Sequence, residues 1–217
     1  MRKFLLVSLL TVGLTGTTLA ADFNYSVVSQ GDWAVLLVRA LNLDEGQVLN
    51  NYQDFTRLLT ANKVAPKDGW KPEQKLTYAE YVGTIGLALI HYNKKDIKST
   101  AGLNGFLSFL DEKIGISIDQ LKSALNGIEE LGELNNGIDQ YLATRQSNEQ
   151  TENSVASSGN TGSTPTTKGK AATTSSTTLA AAIADLSQAL ALIGQSGTSP
   201  GDYWDVFSKP ASPILPY

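Results

Sequence analysis

The chain of 217 residues carries 17 Lys and Arg against 21 Asp and Glu, with no Cys and a single His, His91. The lack of Cys excludes disulfides, thiolate catalysis and Cys-ligated zinc. One His leaves little material for a Ser-His-Asp triad or a histidine metal cluster. The mildly acidic balance lacks the clustered Lys and Arg that phosphate contacts require, so we expect no nucleic-acid partner.

Residues 1–20 are predicted to form a secretory signal peptide. Arg2 and Lys3 supply its charged region, an apolar run follows them, and Thr18 and Ala20 are small residues suited to a cleavage site. The apolar run is too short for a bilayer, and no later segment approaches the roughly 20 continuous apolar residues of a membrane helix. We therefore expect an exported protein, periplasmic, cell-surface or extracellular, with no membrane span after cleavage.

Residues 21–145 are predicted to form a small all-α helical bundle. Ser29 and Asp32 make a capping box that opens the first helix, which is expected to end near Leu43. A second helix is predicted over residues 48–61, where apolar side chains recur at spacings of three and four. The side chains expected to be buried from it are Val48, Tyr52, Phe55, Leu58 and Leu59.

A tight loop over residues 67–72 separates this helix from a third one. Thr77 and Glu80 form a second capping box, because the Thr hydroxyl can accept from the backbone N–H of Glu80 while the Glu side chain reaches back. The third helix contains Gly83 and Gly86, each of which costs roughly 1 kcal/mol relative to Ala. We interpret the two glycines as the place where another helix packs closely.

Residues 33–90 resemble a known repeat. Their motifs stand in the order of an S-layer homology (SLH) repeat: a helix, Val64-Ala65-Pro66, Asp68-Gly69-Trp70-Lys71-Pro72, Leu76-Thr77-Tyr78-Ala79-Glu80 and an apolar helix. The segment over residues 34–43 is similar to the closing helix of a preceding repeat. The resemblance implies a helix-loop-helix unit that binds cell-wall glycan. Family members usually carry a glycan-holding Arg in place of Tyr78 and join three repeats, whereas about one and a half stand here.

Five residues of this stretch are candidate ligand contacts: Asp68, Trp70, Thr77, Tyr78 and Glu80. The indole of Trp70 could stack on a sugar ring, and the helix N-terminus at Thr77 favours an anionic group. The alternative is structural: Trp70 fills the core, while Thr77 and Glu80 only cap a helix.

The chain between this unit and residue 145 adds helical patterns. His91 is expected to be a solvated residue at the end of the third helix, where a charged imidazole favours the helix dipole. Ser117 and Gln120 form a third capping box, and an apolar face at spacings of four and three follows over residues 121–141. Glycines within that face predict a break near Gly132.

The C-terminal third divides into a linker, a helix and a tail. Residues 146–178 are rich in Ser, Thr and Gly and are predicted to be a disordered linker. An isolated amphipathic helix is predicted over residues 179–194, with an a/d seam of Leu179, Ile183, Leu186, Leu190 and Ile193. This seam could face its own domain, a second copy in a homo-oligomer, or another protein.

The tail over residues 195–217 combines aromatic residues with prolines that favour an extended conformation. Tyr203 and Trp204 either pack back on the domain or belong to a short recognition peptide for another envelope protein, and we favour the peptide. Together with the seam, these two residues are the candidate partner contacts.

No catalytic constellation is found. The G-x-S-x-G match over residues 197–201 follows an Ala-rich helix, contains Pro200 and has no His downstream, so it is interpreted as a turn. We therefore expect a protein without enzymatic activity, without a cofactor and without a metal site. The hypothesis that follows is an exported cell-envelope interaction protein that binds cell-wall polysaccharide or an envelope protein. The alternative is a structural or assembly subunit that oligomerises or docks through its C-terminal helix.

Overall fold

The computed structural model describes residues 23–97, 102–126, 128–156, 173–194 and 200–208. These residues are mostly helical and contain no β-strand, which confirms the predicted all-α class. The eight α-helices among them are α1 (Gln30–Ala40), α2 (Tyr52–Ala61), α3 (Tyr78–Asn93), α4 (Gly102–Phe109), α5 (Ile118–Leu125), α6 (Gly132–Ala156), α7 (Thr173–Gly194) and α8 (Pro200–Ser208). Short 3-10 turns cover Tyr25–Val27 and Glu129–Leu131, and a π-helical turn covers Leu110–Ile114. The predicted signal peptide lies outside the described residues.

Three of the helices begin where the capping patterns predict. The Ser29 hydroxyl accepts from the backbone N–H of Asp32 at 3.0 Å and caps α1. At α3 both halves of the capping box are present, between Thr77 and Glu80. Ser117 accepts from the backbone N–H of Gln120 and caps α5. Each cap satisfies an N–H group that the first turn of a helix leaves without an intrahelical partner.

Helix α2 begins later than predicted, so the burial expected of Val48 is wrong. Asn51 is the N-cap, and its side-chain oxygen accepts from the backbone N–H of Asp54 at 3.1 Å. The Asp54 carboxylate in turn accepts from the backbone N–H of Asn50. Val48 therefore lies in the segment before the helix, where it is 84% exposed. Asn is among the best N-cap residues, and this local preference overrides the apolar spacing.

Helix α3 lies at the centre of the fold. It packs against α6, α7 and α8, while α1 packs mainly against α2. Trp33 of α1 is fully buried, and its indole N–H donates to the Thr84 hydroxyl of α3 at 2.9 Å. This bond gives a buried polar group its partner inside the core and fixes α1 on α3.

The C-terminal helices belong to the same body. Helix α7 packs on α3 and α5, and α8 packs on α7 and α3. Tyr203 and Trp204 are buried on α8, so the structure corrects the interpretation of these residues as part of an extended recognition peptide. The remainder of that tail, residues 195–199 and 209–217, lies outside the described part of the chain.

The prediction of a disordered linker over residues 146–178 is wrong at both ends of that stretch. Helix α6 continues to Ala156 and α7 begins at Thr173, so both helices enter the stretch over residues 146–178. The sequence contains no Gly or Pro between Gly137 and Gly159, which explains why α6 can continue into a polar stretch. Residues 157–172 lie outside the described part. Among the described residues, none of the helices has the length and apolar character needed to cross a bilayer.

The two glycines of α3 are a close-packing surface, as the sequence predicts. A Cβ on Gly83 would collide with the indole ring of Trp204, and one on Gly86 would collide with the hydroxyl of Tyr203. The same Tyr203 hydroxyl donates to the backbone carbonyl of Gly83. Because these positions carry no side chain, the aromatic residues of α8 lie directly on the helix backbone.

Substitution at Gly83 tests this packing. Gly83→Ala is expected to lower the free energy of unfolding, although Ala favours a helix by about 1 kcal/mol, because its methyl group would displace the Trp204 ring. In a Trp204→Ala background, which should itself cost about 3–5 kcal/mol, the same change is expected to stabilise the protein by about 1 kcal/mol. Urea denaturation of the native protein, Gly83→Ala, Trp204→Ala and the double variant measures the effect of Gly83→Ala in each background. Gly132→Ala, where no atom lies near the added methyl group, is the control. Equal effects of Gly83→Ala in both backgrounds would contradict the close packing.

Candidate functional site

Four of the five candidate ligand residues make hydrogen bonds within the protein, and three of them, Thr77, Tyr78 and Glu80, lie at the start of α3. Glu80 accepts from the backbone N–H of Thr77 at 2.9 Å, and the Thr77 hydroxyl accepts from the backbone N–H of Glu80 at 3.3 Å. The Tyr78 hydroxyl donates to the Asp185 carboxylate of α7 at 2.8 Å. Burial, followed by the bond to Asp185, raises the pKa of Tyr78 well above its usual value, so the phenol stays protonated. The SLH resemblance implies a ligand-holding Arg at this position, and here the residue fastens α7 to α3.

Asp68 and Trp70 lie on the loop before α3. Asp68 is exposed at the tight turn, next to Gly69, whose φ of +74° is a left-handed conformation that Gly adopts without strain. Trp70 is half-buried, and its indole N–H donates to the backbone carbonyl of Val64 at 3.2 Å. This bond links the indole to the backbone segment that follows α2.

Gln30 holds this loop in place, a role that sequence reasoning missed. Its side chain is 1% exposed, and its carbonyl oxygen accepts from the backbone N–H of Lys71 at 2.7 Å. Its amide group donates to the Glu80 carboxylate at 2.8 Å. A single amide therefore joins α1, the loop and the first turn of α3. A Gln at the second position of a capping box gave no signal for this role.

Backbone hydrogen bonds reinforce the same junction. The N–H of Gln30 donates to the carbonyl of Gln74 at 2.8 Å, and the N–H of Gly31 donates to the carbonyl of Pro72 at 3.0 Å. The first N–H groups of α1 are thus satisfied by the loop, and not by water. These bonds fix the loop that carries Trp70 against the start of α1.

A shallow groove of about 480 Å³ lies beside Trp70. The indole forms one wall, and the remaining lining residues come from one side of α2: Gln53, Thr56, Arg57, Thr60 and Ala61. The Arg57 side chain is 75% exposed and pairs with Asp54 at 2.8 Å. An aromatic wall that faces amide, hydroxyl and guanidinium groups suits a polar ligand that also has an apolar face.

The candidate partner residues lie inside the protein's own core where the structure describes them. Leu186 and Leu190 are fully buried, Ile183 is 6% exposed and Tyr203 is 2% exposed. Trp204 is 8% exposed. The side chains of Leu179 and Ile193 are outside the described part. The described part of the seam faces its own domain, which was one of the three options left open.

His91 is buried at the end of α3, so the expectation of a solvated residue is wrong. It is 8% exposed, and its Nδ1 lies 2.8 Å from the Asp96 carboxylate, which also pairs with Lys63 at 3.1 Å. Burial lowers the pKa of His91, against the opposing effect of Asp96. Within the described residues, no three or more His, Asp and Glu side chains are placed to hold a metal ion.

Comparisons with known proteins add no family: no family model, no curated protein and no solved structure matches the chain. The SLH resemblance therefore stays a prediction that depends on the quoted motifs.

The role of Gln30 can be tested by replacing its amide with a similar apolar side chain. Gln30→Leu leaves the Lys71 N–H and the Glu80 carboxylate without this partner, so we expect a loss of about 1–3 kcal/mol in the free energy of unfolding. Chemical denaturation measures the loss. Gln74→Leu changes an exposed Gln of the same loop and should stay within about 0.5 kcal/mol of the native protein. Equal effects of the two changes would contradict the bridging role.

The burial of His91 predicts a loss of stability in mild acid. Because its folded pKa is lowered, the unfolded state binds the proton first as pH falls through the unfolded value of about 6.5. The contribution of the neutral His91 to the free energy of unfolding is complete above that value. It is lost as pH falls toward the folded pKa. His91 is the only His, so His91→Gln should flatten the stability profile between pH 7.5 and about pH 5. Parallel profiles of the two proteins in urea denaturation would disprove the assignment.

Proposed function

We propose that this chain is an exported envelope protein whose SLH-like unit binds cell-wall glycan in the groove beside Trp70. The observation that carries the proposal is the position of the indole, which lines an open groove and is tied by its N–H to the Val64 carbonyl. The indole therefore does not need the ligand to satisfy its polar group, and its carbon framework is available for packing.

The chemistry of the groove supports a sugar. A pyranose ring has an apolar face of C–H groups and a rim of hydroxyls, and such a ligand needs an aromatic surface next to hydrogen-bonding groups. Trp70 provides the surface, while Gln53, Thr60 and Arg57 provide amide, hydroxyl and guanidinium groups on α2. Arg57 further favours a glycan that carries a carboxylate or phosphate group.

The loop that carries Trp70 supports the proposal through preorganisation. Gln30 and two backbone hydrogen bonds of α1 hold the loop before any ligand arrives. Binding to a surface that is already ordered avoids much of the entropy cost of immobilising a loop.

The alternative, an assembly subunit that oligomerises or docks through its C-terminal helix, has weaker support. Leu186 and Leu190 are fully buried, and α7 packs on α3 and α5 of the same chain. A second copy would have to displace these contacts before it could use the same seam. We therefore favour the binding module.

Binding of the exported protein to purified cell wall tests the proposal. Trp70→Ala should reduce the bound fraction at least tenfold, because it removes the aromatic wall, while Trp70→Phe should retain part of the binding. Val48→Ala removes another exposed apolar side chain, 84% exposed, and should bind like the native protein.

The stability of each variant is followed by circular dichroism, so that lost binding is separated from lost folding. Arg57→Gln provides a second test on an exposed side chain, and it should weaken binding most for acidic glycans. Equal binding by the native protein, Trp70→Ala and Arg57→Gln would overturn the proposal.

A further inference from the structure

A second groove, of about 450 Å³, lies between the end of α1 and the π-helical turn. Its walls are almost entirely apolar and are formed by Phe23, Leu36, Ala40, Phe109 and Ile114. None of these residues is a candidate ligand contact from the sequence, and none lines the proposed glycan site. The volume falls within the range of small-molecule sites in proteins.

Two basic side chains line this groove. Arg39 lies in the last turn of α1 and Lys113 lies in the π-helical turn, and both side chains line the groove. Both residues are exposed, and within the described part of the chain neither forms an ion pair with an acidic side chain. A cation near a helix C-terminus stabilises that helix, but this does not explain why cations from two different elements meet at one apolar surface.

The π-helical turn is the local feature that builds the groove. π-helical turns are rare and occur frequently at functional sites. Here the turn ends at Gly115, whose φ is +84°, and it places Lys113 beside the buried Ile114. An α-helical continuation of α4 would place these two residues differently.

The walls are held by the aromatic core. Phe23 lies 5.5 Å from Trp33 and 5.6 Å from Tyr81 between ring centroids, and Phe109 lies 6.2 Å from Trp33. Trp33 is itself fixed by its bond to Thr84. The groove is thus formed without a ligand, since its two aromatic walls pack on the same buried indole.

From these observations we propose that the groove binds a medium-chain fatty acid. The alkyl chain would lie along the apolar walls, and its carboxylate would pair with Arg39 and Lys113. A peptide fits less well, because its backbone N–H groups need acceptors. The two polar side chains of the lining, on Arg39 and Lys113, only donate. A fatty acid presents acceptors at one end and needs no partner along its length.

Calorimetric titration of the exported protein with octanoate, decanoate and dodecanoate, each below its micellar concentration, tests the proposal. Each methylene that enters the groove should tighten binding about fourfold. Decyltrimethylammonium has a chain of the same length as decanoate and the opposite charge, and it should bind at least tenfold more weakly. Affinity that is independent of chain length, or equal for the two charges, would overturn the proposal.

Three variants locate the site. Arg39→Gln with Lys113→Gln should weaken decanoate binding at least tenfold. Lys71→Gln with Lys75→Gln makes the same charge change on exposed lysines elsewhere and should leave it unchanged. Ala40→Phe fills the groove and leaves Arg39 and Lys113 in place, so it should prevent the binding of octanoate, decanoate and dodecanoate. Equal losses of decanoate affinity in the two double variants would assign the binding to net charge and overturn the proposal. Binding to anionic vesicles without binding to monomeric decanoate would also overturn it.

Discussion

The contact between Trp204 and the bare backbone of α3 at Gly83 is the constraint on which the C-terminal half of the fold depends. Helices α7 and α8 have 22 and 9 residues, and α8 is shorter than the roughly 12–15 residues below which isolated helices are marginal in water. Its stability must come from tertiary packing. Gly83 and Gly86 supply the surface for that packing, because any side chain there would hold the Tyr203 and Trp204 rings away from α3.

The N-terminal half depends in a similar way on one buried amide. Gln30 satisfies the Lys71 N–H and the Glu80 carboxylate together, and replacing the amide by water would require a hydrated cavity at a position that is 1% exposed. The same loop carries Trp70. Gln30 therefore determines the geometry of the groove beside the indole, although it does not line the groove. The loop is thus positioned by α1, while α2 forms the other side of the groove.

Local features were predicted well from the sequence, and features that depend on tertiary contacts were not. The three Ser and Thr caps follow from short-range chemistry, and the structure has them. Gly83 is an exception, since a glycine inside an apolar helix predicts close packing but not which side chain lies on it. Val48 was misjudged because two local signals compete there, and the Asn51 cap prevails over apolar spacing. Gln30 could not be found, since nothing within its own helix reveals that its partners lie 41 and 50 residues away.

For the candidate site too, the local features could be predicted from the sequence and the tertiary contacts could not. Trp70 could be singled out from its sequence context, but the groove beside it requires knowing which side of α2 it faces. The second groove could not be predicted at all, because Phe23, Arg39 and Lys113 come from three segments. Their meeting depends on a π-helical turn, which none of the sequence motifs described above indicates.

The covering of α3 separates the proposed site from the ligand position that the SLH resemblance implies. A helix as apolar as α3 needs neighbours on nearly every side. In this protein α7 and α8 cover the glycine surface, and Tyr78 is used to hold α7 through Asp185. A residue that serves this closure is not available to a ligand, so the glycan that we propose would have to use surface that α7 and α8 leave open. The groove between Trp70 and α2 meets that requirement, because neither α7 nor α8 contributes to its lining.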